Sequence, residues 1–322
     1  MSKRGITACG PGPIPAGRIY LKFVPMRMKN PKFALAALCI SLAPALTGCL
    51  THTYAVPKTR PADVILNATL DQLVQQLDTR YNAMQTMTAS VEIEATTGGS
   101  RQGKAKDSPS FSGYIFMRKP EDLRVLLKLP VLGSKALDMV TDGKTFKLII
   151  PPRNKAIAGS NSVTTPSKNG LENLRPSVFF DTLFVRGVLP SEILSLTSDF
   201  RILENPQKKK DLVEEPDYDI EVLTQPEGQI AHIKRVIHIG RGNLLPYQQD
   251  IYDAQGQVAT RAFYSDYQKY GDIMFPSHII IRRPLDELSL SVNITKLTFN
   301  QKMDDDQFDL VIPANVPVQR MD

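Results

Sequence analysis

Residues Leu66 to Thr97 read LNATLDQLVQQLDTRYNAMQTMTASVEIEATT, and the change of rhythm inside this stretch decides the fold. In its first half Leu66, Leu70, Leu73, Val74, Leu77, Tyr81 and Met84 recur at three- and four-residue steps. That spacing puts all of them on one face of a helix, with Asp71, Gln75, Gln76, Asp78 and Arg80 turned to water. Thr69, followed three residues later by Gln72, has the form of a capping box at the helix start. Beyond Thr88 the period drops to two. Val91, Ile93 and Ala95 alternate with Ser90, Glu92 and Glu94, as in a strand with one apolar and one wet face.

The two-residue period holds through most of the remaining chain. Strands are predicted at about 111–118, 122–129, 135–141 and 144–151, with Asp142-Gly143 before the last, a hairpin signal whose two central residues take positive φ. Residues 98–110 and 152–170 read as loops. Around 176–197 the rhythm is helical again, with an apolar stripe of Val178, Phe179, Leu183 and Phe184 continued by Leu189, Ile193 and Leu196. Further strands are predicted at about 199–204, 217–223, 230–239, 246–253, 257–267, 273–283 and 287–299. In the last of these, Leu297 and Phe299 resume the alternation of Leu288, Leu290, Val292 and Ile294 one residue out of phase, which marks a β-bulge near Thr295-Lys296.

The expected class is therefore mainly β (α+β), with about eleven strands, antiparallel because the connections are too short for crossover helices. One N-terminal helix and one or two short helices cannot cover the whole apolar side of so wide a sheet, so a partly open hydrophobic cavity is expected. Its candidate lining is Phe116, Val125, Leu127, Phe146, Leu148, Tyr252, Phe263, Ile281, Leu290 and Val292.

Charge divides the chain. Residues 1–48 hold seven Lys and Arg and no Asp or Glu, which leaves 32 of the 39 basic residues against 33 acidic ones in the remainder, a net charge of −1. A folded part without basic surplus lacks the electrostatic footprint of a nucleic-acid-binding protein, and no nucleic-acid partner is expected. The basic segment has the three parts of a signal peptide, with a start expected at Met26 or Met28: Arg27, Lys29 and Lys32, then apolar Phe33–Leu46, then Leu46-Thr47-Gly48-Cys49. The apolar stretch is too short to span a bilayer and contains Pro44. Leu46, Thr47 and Gly48 before Cys49 resemble the lipobox of bacterial lipoproteins, which implies cleavage before Cys49 and acylation of its thiol. Leu50 in place of an acidic residue points by the same analogy to the outer membrane. The expected layout is a signal-peptide region at 1–48, a lipidated tether at 49–62 and one β domain at 63–322. Cys49 would be the only cysteine left, so no internal disulfide is available.

Five features in order carry a family resemblance: the helix ending at Tyr81 before Thr88–Ala95, Arg118-Lys119-Pro120, Val140-Thr141-Asp142-Gly143-Lys144, Leu245-Pro246, and Phe275-Pro276 before Ile279–Arg283. Together, over roughly Leu66–Ile312, they resemble the LolA/LolB superfamily of lipoprotein-localisation and lipid-carrier proteins, in particular its lipid-anchored, outer-membrane lipoprotein-sorting-like members. The resemblance implies an unclosed antiparallel barrel with short lid helices around a cavity for acyl chains. It makes Phe179, Leu183 and Phe184 lid residues and a membrane lipid or acylated lipoprotein the partner. It also implies an apolar side chain on a loop between early strands that touches the membrane. Here Leu132 or Val131, in Pro130-Val131-Leu132-Gly133, is the candidate, the other reading being a turn packed on its own sheet.

Motifs for hydrolase, redox or phosphate-binding chemistry do not occur after Cys49, and neither an enzyme nor a cofactor is expected. His232 and His238 share a face of one predicted strand but lack a third ligand nearby, so no metal is expected. Asp304-Asp305-Asp306 lacks the glycine and distal glutamate of a calcium loop. Lys208-Lys209-Lys210 reads either as a solvated loop or as a contact for anionic head groups. Two functions remain: an acyl-chain-binding lipoprotein, or a tethered scaffold whose sheet is filled by its own side chains.

Overall fold

The structure, a computed structural model, describes residues 54–161, 176–205, 208–225, 228 and 230–321. The expected signal peptide, its lipobox Leu46, Thr47 and Gly48, and Cys49 lie outside the described residues, as does the 162–170 part of the expected loop. Contacts divide the chain into Met1–Val56 and Pro57–Asp322. The second unit opens with strand β1 (Thr59–Pro61), inside the stretch expected to be tether. Helix α1 (Leu70–Ala83) follows, capped as its sequence predicts: the Gln72 amide donates to Thr69 Oγ1 at 3.3 Å and the Thr69 amide to Gln72 Oε1 at 2.9 Å. Leu66 lies before the helix and is exposed rather than on its apolar face.

The chain then runs almost wholly in strands. They are β2 (Thr86–Gly99), β3 (Lys104–Asp107), β4 (Phe111–Arg118), β5 (Asp122–Lys128), β6 (Lys135–Thr141), β7 (Thr145–Ile150) and β8 (Lys155–Ser160). Helix α2 (Pro176–Leu183) interrupts them. After it come β9 (Ile193–Thr197), β10 (Phe200–Asn205), β11 (Lys208–Leu223), β12 (Ile233–Gly240) and β13 (Leu245–Tyr252). The last four are β14 (Val258–Tyr270), β15 (Ile273–Arg283), β16 (Leu288–Phe299) and β17 (Val318–Met321).

They form one unclosed sheet of seventeen strands. Registered antiparallel pairs run from β9 and β10 through β11 to β16, then by β16 against β2 through β4 to β8. The β16–β2 register pairs Val292 with Ile93 and shifts between Ile294 and Lys296, the bulge expected there. Two pairs are parallel, β1 with β11 and β17 with β8.

The strands beyond the expected eleven or so are mostly short. β3 lies in the Gly/Ser/Lys loop, and β8, rich in small residues, lies in the expected 152–170 loop and is a strand because β7 and β17 flank it. β9 sits where a helix was expected, since Ile193, Leu194 and Leu196 fit either period and β11 supplies a ladder. Lys208–Lys210 open a strand rather than form a loop. At the Asp142-Gly143 hairpin only Gly143 takes positive φ, 85°. Asp142 instead accepts from the Lys144 and Thr145 amides at 2.9 and 2.7 Å, an Asx turn that removes the need for a second left-handed residue.

One apolar cluster fills the concave side, from Val91 and Ile93 through Ile115, Met117, Val125, Leu148, Ile281 and Val292, with α2 in its centre. A second seats Leu73 and Leu77 of α1 on Ile220, Val222, Ile237 and Ile239. On β4 the inward residues are Ile115 and Met117, so Phe116 is half-buried on the outer face, stacked on Tyr114 at 6.0 Å. We predict that Leu148→Ala costs about 3 kcal/mol of unfolding free energy by urea denaturation. Phe116→Ala should cost about 1 kcal/mol, because it loses only an outer-face aromatic contact.

Candidate functional site

Seven of the ten residues expected to line the cavity meet in the concave cluster: Val125, Leu127, Phe146, Leu148, Ile281, Leu290 and Val292. Phe116 does not, and neither does Phe263, which lies under the Arg282 guanidinium at 4.9 Å while Ala262 and Tyr264 point inward. Both misplacements are slips of one residue on strands with apolar side chains on both faces. Tyr252 is half-buried in the lining of a separate, open pocket.

The interior is not open. Helix α2 and the residue after it insert Val178, Phe179, Phe180, Leu183 and Phe184, all at most 4% exposed, into the place where a ligand was expected. Phe184 meets Tyr81, Phe180 and Phe275 edge-on at 6.4, 5.9 and 6.4 Å between ring centres. The residues expected to form a lid thus act as a plug. Beside them an apolar cavity of about 40 Å³ remains, bounded by Leu77, Met84, Leu183, Val185, Tyr264 and Phe275 among others. That is room for a water molecule, against the several hundred Å³ of a typical small-ligand pocket.

Polar contacts clasp the plug by its backbone. Tyr264 Oη donates to the Thr182 carbonyl at 2.9 Å and Gln249 Nε2 to the Asp181 carbonyl at 3.0 Å. Arg235 donates to the carbonyls of Arg186 and Gly187 at 2.9 and 2.6 Å, and the Val188 amide donates to Asp78 Oδ1 of α1 at 3.0 Å. Gly187 permits this approach, because a Cβ there would lie 2.0 Å from Asp78 Oδ1. Glu192 pairs with Lys234 at 3.0 Å and Arg235 at 3.6 Å, and Arg186 with Asp181 at 2.9 Å. Burial pushes the Asp181 carboxyl up, against the pull of Arg186 and Arg235, and pushes the Arg235 guanidinium down. Around these groups lies an open pocket of about 560 Å³, lined by charged side chains together with Val188, Leu189, Ile251 and Tyr252. Sequence reading missed the clasp, since Asp78, Arg235 and Gln249 sit on three elements far apart in the chain.

On the connection between β5 and β6 the sheet does not cover its apolar turn. Val131 is 105% and Leu132 77% exposed. Val131 has φ 70°, where a β-branched residue is strained, and the Gly133 amide closes the turn on the Leu129 carbonyl at 3.0 Å. The alternative of a turn packed on its own sheet is thereby ruled out. His232 lies outside β12 and is exposed, while His238 faces Asp219 at 2.6 Å. Among the described residues no three His, Cys, Asp or Glu are grouped to hold a metal, and no helix is long and apolar enough to cross a membrane.

Some solved structures resemble the chain at low sequence identity. A LolA superfamily protein, NE2245 from Nitrosomonas europaea, is 14% identical at TM-score 0.46, with 76% of this chain and 99% of that chain covered. A DUF1329 family protein from Desulfovibrio piger is also 14% identical at TM-score 0.46, over 74% of this chain and 94% of that one. A candidate outer membrane lipoprotein-sorting protein domain from Vibrio parahaemolyticus is 11% identical at TM-score 0.43, over 74% and 94%. A protein-family model described as Uncharacterized protein matches residues 204–311. No curated protein matches the sequence.

Two outcomes test the site. Val131→Gly should raise the unfolding free energy by up to about 1 kcal/mol in urea, as relief of left-handed strain outweighs the added chain entropy of glycine. Lys119 Nζ donates to the Tyr81 carbonyl and lies 3.3 Å from the Tyr81 ring centre, where burial pushes it down to about 8. Its folded pKa is below the roughly 10.4 of an unfolded lysine, so folding releases a proton in that window and stability rises as pH climbs from about 8 toward 10. In urea titrations across that range, the advantage of Lys119→Met over wild type should be largest at pH 7 and shrink with rising pH.

Proposed function

We propose that this chain is an exported lipoprotein, cut before Cys49 and held by lipid on that cysteine at the periplasmic face of the outer membrane. It takes acyl chains of a membrane lipid or an acylated lipoprotein into the space now held by α2, without making or breaking a bond. One observation carries this reading: the concave side of the sheet is filled by a helix of eight residues rather than by the sheet itself. The side chains of that helix make non-directional apolar contacts and its polar fastenings lie at Asp181, Thr182 and the segment just after it, so it can leave as a unit and expose a ready apolar surface of hydrocarbon character. The exposed Val131 and Leu132 supply a point of contact with the membrane that delivers or receives the chain.

The filled interior also favours a second reading, a tethered scaffold in which α2 is a permanent part of the core. The two differ in what the processed protein carries. Gentle extraction followed by native mass spectrometry should find bound lipid beyond the anchor on Cys49. A fluorescent fatty-acid probe should bind in a saturable, lipid-displaceable manner, and more tightly by several-fold in Arg235→Ala, which loosens the clasp. Empty protein together with no saturable probe binding in either form would leave the scaffold.

A further inference from the structure

The open pocket beside the plug takes its walls from α1, β12, β13 and the plug with the segment after it. Its charges balance, Asp78, Asp181 and Glu192 against Arg186, Lys234 and Arg235. Each acid is already engaged, Asp78 by the Val188 amide at 3.0 Å, Asp181 by Arg186 at 2.9 Å and Glu192 by Lys234 at 3.0 Å. An ion entering the pocket has to break one of these pairs, so an uncharged ligand is favoured. Two polar atoms of the lining residues are buried and have no hydrogen-bond partner among the described residues: Gln249 Oε1, an acceptor, and Arg186 Nε, a donor. Gln249 is 1% exposed and commits its Nε2 to the Asp181 carbonyl. Such orphaned groups are costly, and a partner for them is a gain.

We propose that this pocket binds an uncharged amide next to an aliphatic side chain, the repeating unit of a peptide. An amide group carries both of the things the wall lacks, an N–H for Gln249 Oε1 and a carbonyl for Arg186 Nε. Reaching them takes a side-chain rotation at each residue, a common adjustment on binding. The aliphatic side chain rests on Val188, Leu189 and Ile251. A volume of about 560 Å³ is that of a small-ligand site. Asp181, Arg186 and Val188 belong to the plug and the segment after it, so the pocket has this form only while the plug is docked. An occupant therefore favours the docked plug and, by linkage, opposes uptake of an acyl chain in its place. That coupling, unlike the binding itself, rests on the reading of the interior as an acyl-chain site.

The sequence has no tryptophan, so Tyr252→Trp places a single fluorescent reporter in the lining, and Leu189→Trp, at a position 60% exposed, places a second one in a separate chain. Titration of the full chain with N-acetyl-leucine methylamide should change the emission in a saturable way. N-acetyl-leucinate, which bears a negative charge, and leucine methylamide, which bears an ammonium, should bind at least about fivefold more weakly, the cost of disturbing one ion pair. Gln249→Leu beside the reporter should weaken the capped amide at least about fivefold, the worth of one hydrogen bond. Tyr264→Phe, which removes a plug fastening outside the pocket, should weaken it less. No saturable change with either reporter, equal binding of the three probes, or equal losses in the two variants would overturn the proposal. Saturating capped amide should also weaken the fatty-acid probe several-fold in the wild-type chain, and unchanged probe affinity would overturn the coupling. A chain that binds the capped amide and no fatty-acid probe keeps the pocket and loses the acyl-chain reading.

Discussion

Burial of the α2 side chains inside the sheet is the contact on which the rest of the structure depends. A sheet of this width curls until its apolar faces look at one another, and something must occupy the space between them. Phe179, Phe180, Leu183 and Phe184 do so, and the cluster they complete joins strands from both ends of the chain. Without them the facing rows on β5, β7, β15 and β16 would meet water. The fold thus closes its interior with one eight-residue helix and the residue after it.

The clasp has a different character from the plug. Apolar contacts are non-directional and tolerate another hydrocarbon in the same place, whereas carbonyl acceptors met by Arg235, Gln249 and Tyr264 define one position of the helix. Arg235 and Gln249 line an open pocket, so loss of their bonds exposes the groups to solvent rather than stranding them in a dry core. The apolar filling and the polar fastening of the helix are therefore two distinct kinds of contact.

Much of this architecture was legible in the sequence. The capping box of Thr69 and Gln72, the alternation from Thr88, the bulge beside Lys296 and the greasy stripe of α2 all followed from local chemistry. What local chemistry could not supply was a choice of face where both faces are apolar, as at Phe116 and Phe263, or a partner distant in the chain, as for β1, β8 and β17. Ile193 to Thr197 became a strand because β11 lay beside it, which is tertiary context overriding period. The same blindness hid the clasp, whose members are assembled by the sheet. The plug was visible as a helix, but whether it covers the interior or fills it is a matter of volume that periodicity does not encode.

β11 changes both of its neighbours part-way along. Its first half lies between β10 and β1, its second half lies between β9 and β12, and Pro216 stands where the neighbours change. Sixteen extended residues make a rod of about 50 Å. Tyr218, Ile220 and Val222 at one end form the floor on which α1 rests. One continuous strand thus joins the Lys208 end to the surface under α1, and Asp78 of that helix accepts from the Val188 amide just beyond the plug.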